Sequence, residues 1–129
     1  MANTVTQRTL IGSGSDKIIV RHIHIASDGS EESDLIIYDN STFVNDVSKG
    51  RLVELWVSGS DAVIRLEWDQ TTDSPAFVAN PVSRGKWNFW SFGGITNPNG
   101  TGATGDLLLT TASLDAGDEV SIIIKIAQN

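Results

Sequence analysis

The chain has 129 residues and a formal net charge of −7, from 9 Lys and Arg against 16 Asp and Glu. Because it has no cysteine, disulfides and thiolate-bound metals are excluded. It also lacks the surplus of positive charge by which proteins bind nucleic acids and anionic membranes, so we expect neither partner. Since 40% of the residues are hydrophobic, the chain has enough apolar side chains for one packed domain.

Residues with β-branched side chains indicate an all-β protein. The chain contains 13 Ile, 10 Val and 11 Thr, and these side chains fit a pleated sheet better than a helix. Short apolar or alternating segments are separated by Gly, Asn, Asp and Ser at the spacing typical of sandwiches and barrels. The predicted strands, in chain order, are residues 5–11, 17–26, 35–38, 52–57, 62–68, 76–79, 86–92, 106–111 and 120–126.

With no predicted helix between the strands, most pairs must be antiparallel. We therefore predict a single-domain, antiparallel two-sheet β-sandwich of jelly-roll-like topology over residues 12–129, preceded by an N-terminal arm or edge strand at residues 1–11. The segment Leu-x-x-Gly-Asp-x-Val at residues 114–120 also resembles the last turn of jelly rolls of the tumour-necrosis-factor and complement-C1q type. The predicted buried core comprises Ile23, Ile25, Ile37, Leu55, Leu66, Trp68, Leu108, Ile122 and Ile124.

Three motifs could carry chemistry, and each has a simpler structural interpretation. His22 and His24 lie on one face of a predicted strand and could share a metal, but the sequence has no third His. Residues 100–105 match Gly-x-Gly-x-x-Gly, but a strand rather than a helix is predicted to follow. The acidic run 28–34 offers oxygen ligands without EF-hand spacing. We therefore expect no enzyme activity, cofactor or metal.

Aromatic residues are concentrated in the predicted strand at 86–92. The alternation places Trp87 and Phe89 on one face and Trp90 and Phe92 on the other, so a single core cannot cover both faces. Aromatic side chains are enriched at subunit interfaces. The predicted oligomer or capsid contacts, which include two apolar residues of the N-terminal segment, are Val5, Leu10, Trp87, Phe89, Trp90 and Phe92.

Five phrases of the sequence resemble small virion proteins of tailed phages, especially marine and cyanobacterial phages. They are residues 20–34, 37–39, 65–73, 92–94 and 104–111, and the resemblance extends over about residues 4–125. It implies a capsid decoration, or cement, protein on the outer surface of the virion. The implied partners are the major capsid protein and further copies of the chain, with a homotrimer favoured, and no catalytic residues are implied.

The alternative function is a glycan-binding module of a phage tail or spike. In that case Trp68, Trp87 or Trp90 would be an exposed platform on which a sugar ring stacks.

Overall fold

The structure, a computed structural model, describes residues 3–12, 18–43, 50–81, 85–98 and 100–128. These ranges contain ten strands, one short helix and one 3-10 turn: β1 (Thr4–Ile11), β2 (Ile18–Ala26), β3 (Leu35–Tyr38), α1 (Asn40–Phe43), β4 (Gly50–Gly59), β5 (Val63–Trp68), β6 (Ser74–Ala79), β7 (Lys86–Asn88), the turn Trp90–Phe92, β8 (Ile95–Thr96), β9 (Leu107–Ala112) and β10 (Glu119–Gln128). Neither helical element within these ranges is long and apolar enough to cross a membrane.

The strands form two antiparallel sheets. One has six strands in the order β1-β2-β10-β4-β7, with β8 also paired to β4, and the other has four in the order β3-β9-β5-β6. The eight strands of a jelly roll can be numbered here from β2 to β10, with the edge strand β1 left out and β7 and β8 counted as one interrupted strand. In that numbering the strand order is 1-8-3-6 in the larger sheet and 2-7-4-5 in the smaller one. These are the two sheets of a jelly roll, so the predicted all-β, two-sheet sandwich is confirmed.

Strand β10 shows how the sequence sets the two faces of the six-stranded sheet. Val120, Ile122, Ile124 and Ile126 are all 0% exposed and point towards the four-stranded sheet. The intervening side chains, on the opposite face, are only partly buried. Because β10 pairs with β2 on one side and β4 on the other, its alternation fixes which residues of three strands point outward.

The predicted core is confirmed as a set of buried residues. All nine side chains are at most 4% exposed. Eight of them belong to the apolar cluster between the sheets. The exception is Leu108, which was predicted to lie between the sheets but is buried on the outer side of the four-stranded sheet, beside its register partners Ile36 and Glu67.

Several predicted strands begin or end one or two residues away from their predicted bounds, and the strand predicted at 86–92 is cut short. The strand predicted at 86–92 is wrong beyond Asn88, because the Asn88 side chain accepts a hydrogen bond from the Trp90 N–H and starts a turn. Gly93 then closes this turn with a left-handed φ of 86°. The predicted strand at 17–26 begins at Ile18 in the structure, and residue 17 lies outside the described residues.

Residues 4–11, predicted as an arm or edge strand, form β1 at the edge of the six-stranded sheet beside β2. Residues 1 and 2 lie outside the described ranges. The register of this pair shifts between Thr9 and Ile11, which marks a β-bulge at Leu10.

Candidate functional site

The outer face of the six-stranded sheet brings together cationic, aromatic and polar side chains. The antiparallel register aligns them in rows across the strands, since directly opposed residues point to the same side. One row contains Arg8, His22, Ile123, Trp56 and Lys86, and the next contains Ile11, Val20, Lys125, Glu54 and Asn88.

A buried carboxylate lies at the centre of this face. Glu54 is 7% exposed, and its oxygens lie 3.4 Å from Lys86 Nζ and 3.1 Å from Lys125 Nζ. Trp90 Nε1 donates a hydrogen bond to it at 2.9 Å. Burial alone would raise the pKa of Glu54, but the hydrogen bonds from Trp90, Lys125 and Lys86 and the charge of Lys125 outweigh it, so the pKa is lowered. Glu54 therefore stays ionised at neutral pH and fixes the Trp90 indole.

The turn Trp90–Phe92, here called the aromatic turn, presents two exposed rings. Trp90 is 40% exposed and Phe92 66% exposed, whereas Phe89 is 6% exposed and belongs to the core. Trp87 is partly buried against that core, and the Phe77 ring packs edge-on against Trp87 and Phe89 at centroid distances of 5.4 and 5.0 Å. Phe89, predicted as an interface contact, has thus almost no free surface, because the chain covers it itself.

The predicted contacts of the N-terminal strand also divide into inward and outward side chains. Val5 is partly buried and packs against the core. Leu10 at the bulge is 43% exposed, and its neighbour Ile11 is 60% exposed. Leu10 and Ile11 lie at the β1 edge of the sheet, and the aromatic turn lies near the opposite edge, beside β4 and β7. The sheet therefore has an apolar patch near each edge.

A recess of about 200 Å³ lies between the outer faces of β10 and β4. It is lined by Trp56, Val57, Ser58, Gly85, Ser121 and Ile123. Lys86 Nζ lies 5.0 Å from the centroid of the Trp56 ring, which is within cation–π range. The sequence analysis did not single out Trp56. Its neighbours Leu55 and Val57 are both buried, and in a strand this places the Trp56 side chain on the outer face.

His24 links two other side chains of this face. Its Nδ1 lies 3.1 Å from Ser121 Oγ and its Nε2 lies 3.1 Å from Glu119 Oε1. When the ring is neutral, its proton lies on Nε2, because the Glu119 carboxylate only accepts hydrogen bonds, and Nδ1 then accepts from the Ser121 hydroxyl. The connectivity is that of a Ser–His–acid relay. A hydrolytic relay also needs hydrogen-bond donors for the oxyanion that develops on the substrate. The backbone N–H groups of β10 are instead used in the hydrogen-bond ladders with β2 and β4.

His22 is the other half of the predicted histidine pair. Burial, the Arg8 charge and the neighbouring His24 lower its pKa. In the described part of the chain, three potential metal ligands come within 4.8 Å of one another only at Asp34, Glu67 and Asp73, which lie at the four-stranded sheet. Arg65 lies 3.3 Å from Glu67 there and offsets part of its charge.

The glycine-rich segment 100–105 leads into strand β9, so no helix N-terminus is present to hold a pyrophosphate. Its contacts tie it to the loop after β5. The Gly100 N–H donates to Gln70 Oε1, and Thr104 Oγ1 donates to Asp69 at 2.8 Å. The segment therefore fastens two loops at one end of the sandwich.

The acidic run 28–34 also holds loops together. Glu31 accepts hydrogen bonds from the Thr111 hydroxyl and the Leu114 N–H, and Glu32 accepts one from the Asn3 amide. Glu31 and Glu32 are thus hydrogen-bonded within the chain, whereas Asp34, at the end of the run, belongs to the carboxylate cluster with Glu67 and Asp73.

No family model and no curated protein matches this chain. Among solved structures, one similar chain is that of the enzymatically active domain of tailspike protein 4 from bacteriophage CBA120. The two sequences are 8% identical, and the match covers 100% of this chain and 16% of that chain, with a TM-score of 0.20. A similarity this weak shows neither a common fold nor a common function.

Proposed function

We propose that this chain is a non-enzymatic structural protein of a phage virion, a decoration protein that binds the outer capsid surface as a homotrimer. The resemblance of its sequence phrases to phage virion proteins suggests the setting. The observation that carries the proposal is the pair of exposed apolar patches near opposite edges of the six-stranded sheet.

Two different patches are what a cyclic assembly requires. In a ring, each copy contacts one neighbour through one surface and the other neighbour through a second surface. Here Leu10 and Ile11 of one copy can meet the aromatic turn of the next. Strands β1 and β4 are three strand spacings apart, or about 14 Å, so the two patches do not compete for the same neighbour.

The aromatic turn is suited to act as the anchor of this contact. Trp is the residue type most typical of interface hot spots, and an anchor already held in position loses less side-chain freedom on binding. Trp90 is held by its hydrogen bond to Glu54, and Phe92 packs on Phe89 at a centroid distance of 6.1 Å. The outer face between the two patches then remains available to the major capsid protein.

Light scattering after size-exclusion chromatography tests the assembly. We expect a trimer at tens of micromolar and dissociation in Phe92→Ala and Trp90→Ala. Val78→Ala is the matched control, because Val78 is 52% exposed but lies on the four-stranded sheet. A parent protein that is monomeric at this concentration would contradict the trimer.

Binding to the virion needs a separate measurement. We expect labelled protein to cover the head in electron micrographs, and virions lacking it to lose infectivity sooner on heating and in low salt. Virions that survive equally well with and without the protein would contradict the decoration role.

The alternative, a glycan-binding tail or spike module, has fewer stacking platforms than the sequence suggested. Trp68 is 0% exposed and Trp87 is partly buried, so Trp90 alone among the three presents a large exposed surface. Labelling confined to the tail would favour this alternative over decoration of the head.

A further inference from the structure

The recess beside Trp56 combines an aromatic wall with paired hydroxyl groups. Trp56 and Ile123 are register partners on β4 and β10 and form the apolar part of its lining. Ser58 and Ser121 are the next register partners on the same face, two residues further along each strand. A ligand in the recess would therefore meet an apolar surface on one side and two hydroxyl groups on the other.

This division matches the surface of a pyranose ring. The axial C–H groups of a sugar give its ring an apolar face, and its hydroxyls project from the rim. We propose that the recess is a binding site for a single neutral pyranose residue, whose apolar face stacks on the Trp56 indole and whose hydroxyls bond to Ser58 and Ser121.

Side chains around the recess prepare it for such a ligand. The Lys86 ammonium lies 5.0 Å from the Trp56 ring centroid and is itself held 3.4 Å from Glu54, which restricts the position of the indole. His24 Nδ1 lies 3.1 Å from Ser121 Oγ, and this contact holds the hydroxyl in place at the recess.

The size of the recess limits the ligand. The recess is open to solvent and has a volume of about 200 Å³, so it offers room for one sugar ring, and further residues of a glycan would extend into solvent. None of its lining residues belongs to the aromatic turn or to β1, so separate variants test the sugar site and the trimer contact. Because the recess lies on the outer face that the proposed function leaves to the capsid protein, sugar binding is measured on the free chain.

Titrations followed by saturation-transfer NMR test this proposal on the whole chain. The probes are glucose, galactose, mannose and N-acetylglucosamine, with the open-chain polyol sorbitol as the control that lacks a ring. We expect at least one pyranose to bind saturably with a dissociation constant on the order of millimolar, and sorbitol to show no saturation. Absence of saturable binding by all four sugars, or equal binding of sorbitol, would overturn the proposal.

Variants then locate the bound sugar. Trp56→Ala should weaken binding by about tenfold, the usual size of one aromatic stacking contact, and Trp56→Phe should recover part of the loss. Ser121→Val should also weaken binding, and it suits a strand, so the result does not rest on one substitution. Val78→Ala is the control outside the recess, because Val78 is 52% exposed but lies on the four-stranded sheet. Binding that survives Trp56→Ala and Ser121→Val unchanged would refute the site.

Discussion

Replacing Glu54 by Gln should lower the free energy of unfolding by about 2 kcal/mol at pH 7. The substitution keeps the shape of the side chain and its ability to accept from Trp90, but removes the charge that faces two lysines. Hydrogen bonds to charged groups contribute roughly 1.5–3 kcal/mol each, and breaking a buried ion pair costs roughly 3–5 kcal/mol. The expected loss lies near the lower end because Lys86 and Lys125 are 50% and 29% exposed and regain contact with water.

The pH dependence of this difference follows from the lowered pKa of Glu54. A carboxyl that ionises more readily in the folded state stabilises the fold above its unfolded pKa of about 4.3. That stabilisation is lost as the pH falls through the lower folded value. The parent and Glu54→Gln should therefore differ most at neutral pH and converge in acid.

Urea unfolding of both proteins between pH 3 and pH 7 measures this effect. Glu119→Gln is the control, because Glu119 also pairs with a ring nitrogen, that of His24 on the neighbouring strand, but its side chain is 66% exposed. Exposed pairs contribute little, so this control should change stability by at most about 0.5 kcal/mol. If Glu54→Gln were no more destabilising than Glu119→Gln, or if its effect did not fade in acid, the assigned role of Glu54 would be refuted.

Three further changes test the core, the histidine pair and the turn. Leu66→Ala should cost about 2–5 kcal/mol in urea unfolding, since Leu66 is 0% exposed between the sheets, and a smaller cost would mean that the site collapses around the cavity. The lowered pKa of His22 means that protonation favours the unfolded chain, so stability should fall as the pH drops below about 6.5, and His22→Gln should remove part of that fall. Gly94→Ala should lower the melting temperature in a thermal scan, because Gly94 has a φ of 95° and a Cβ there would lie 2.8 Å from Val53 Cγ1. An unchanged melting temperature would show that the turn adapts.

The fold could be predicted from sequence where alternation and burial coincide. The inward-facing apolar residues of β10 (Val120, Ile122, Ile124 and Ile126) and of β2 (Ile19, Ile23 and Ile25) are all 0% exposed, so these strands and their inward faces follow from a period of two. Leu108 shows where this reasoning stops. It lies in a continuous Leu-Leu-Leu segment, which is apolar on both faces, and alternation alone does not choose the side.

The candidate site was harder to predict because it depends on contacts between distant segments. Leu10, Trp90 and Phe92 are exposed, as the contact prediction requires. The aromatic pattern at 86–92, however, predicted a strand, whereas the Asn88 side chain and the left-handed Gly93 form a turn there. The recess was missed because it needs the register of β10 against β4, which places Ser121 beside Ser58 and Ile123 beside Trp56. No local pattern specifies that register.

The environment of Glu54 explains how a sheet face that no other secondary-structure element of the described residues covers can hold a buried charge. Glu54 is directed outward from β4, where a carboxylate would ordinarily be hydrated, yet it is 7% exposed. The side chains that cover it are Trp90, Lys86 and Lys125, from the aromatic turn, β7 and β10. Because the same hydrogen bond satisfies Glu54 and orients Trp90, the stability of the sheet and the presentation of the aromatic turn are physically coupled. The Lys86 ammonium extends this coupling to Trp56, so one carboxylate organises both the proposed subunit contact and the proposed sugar site.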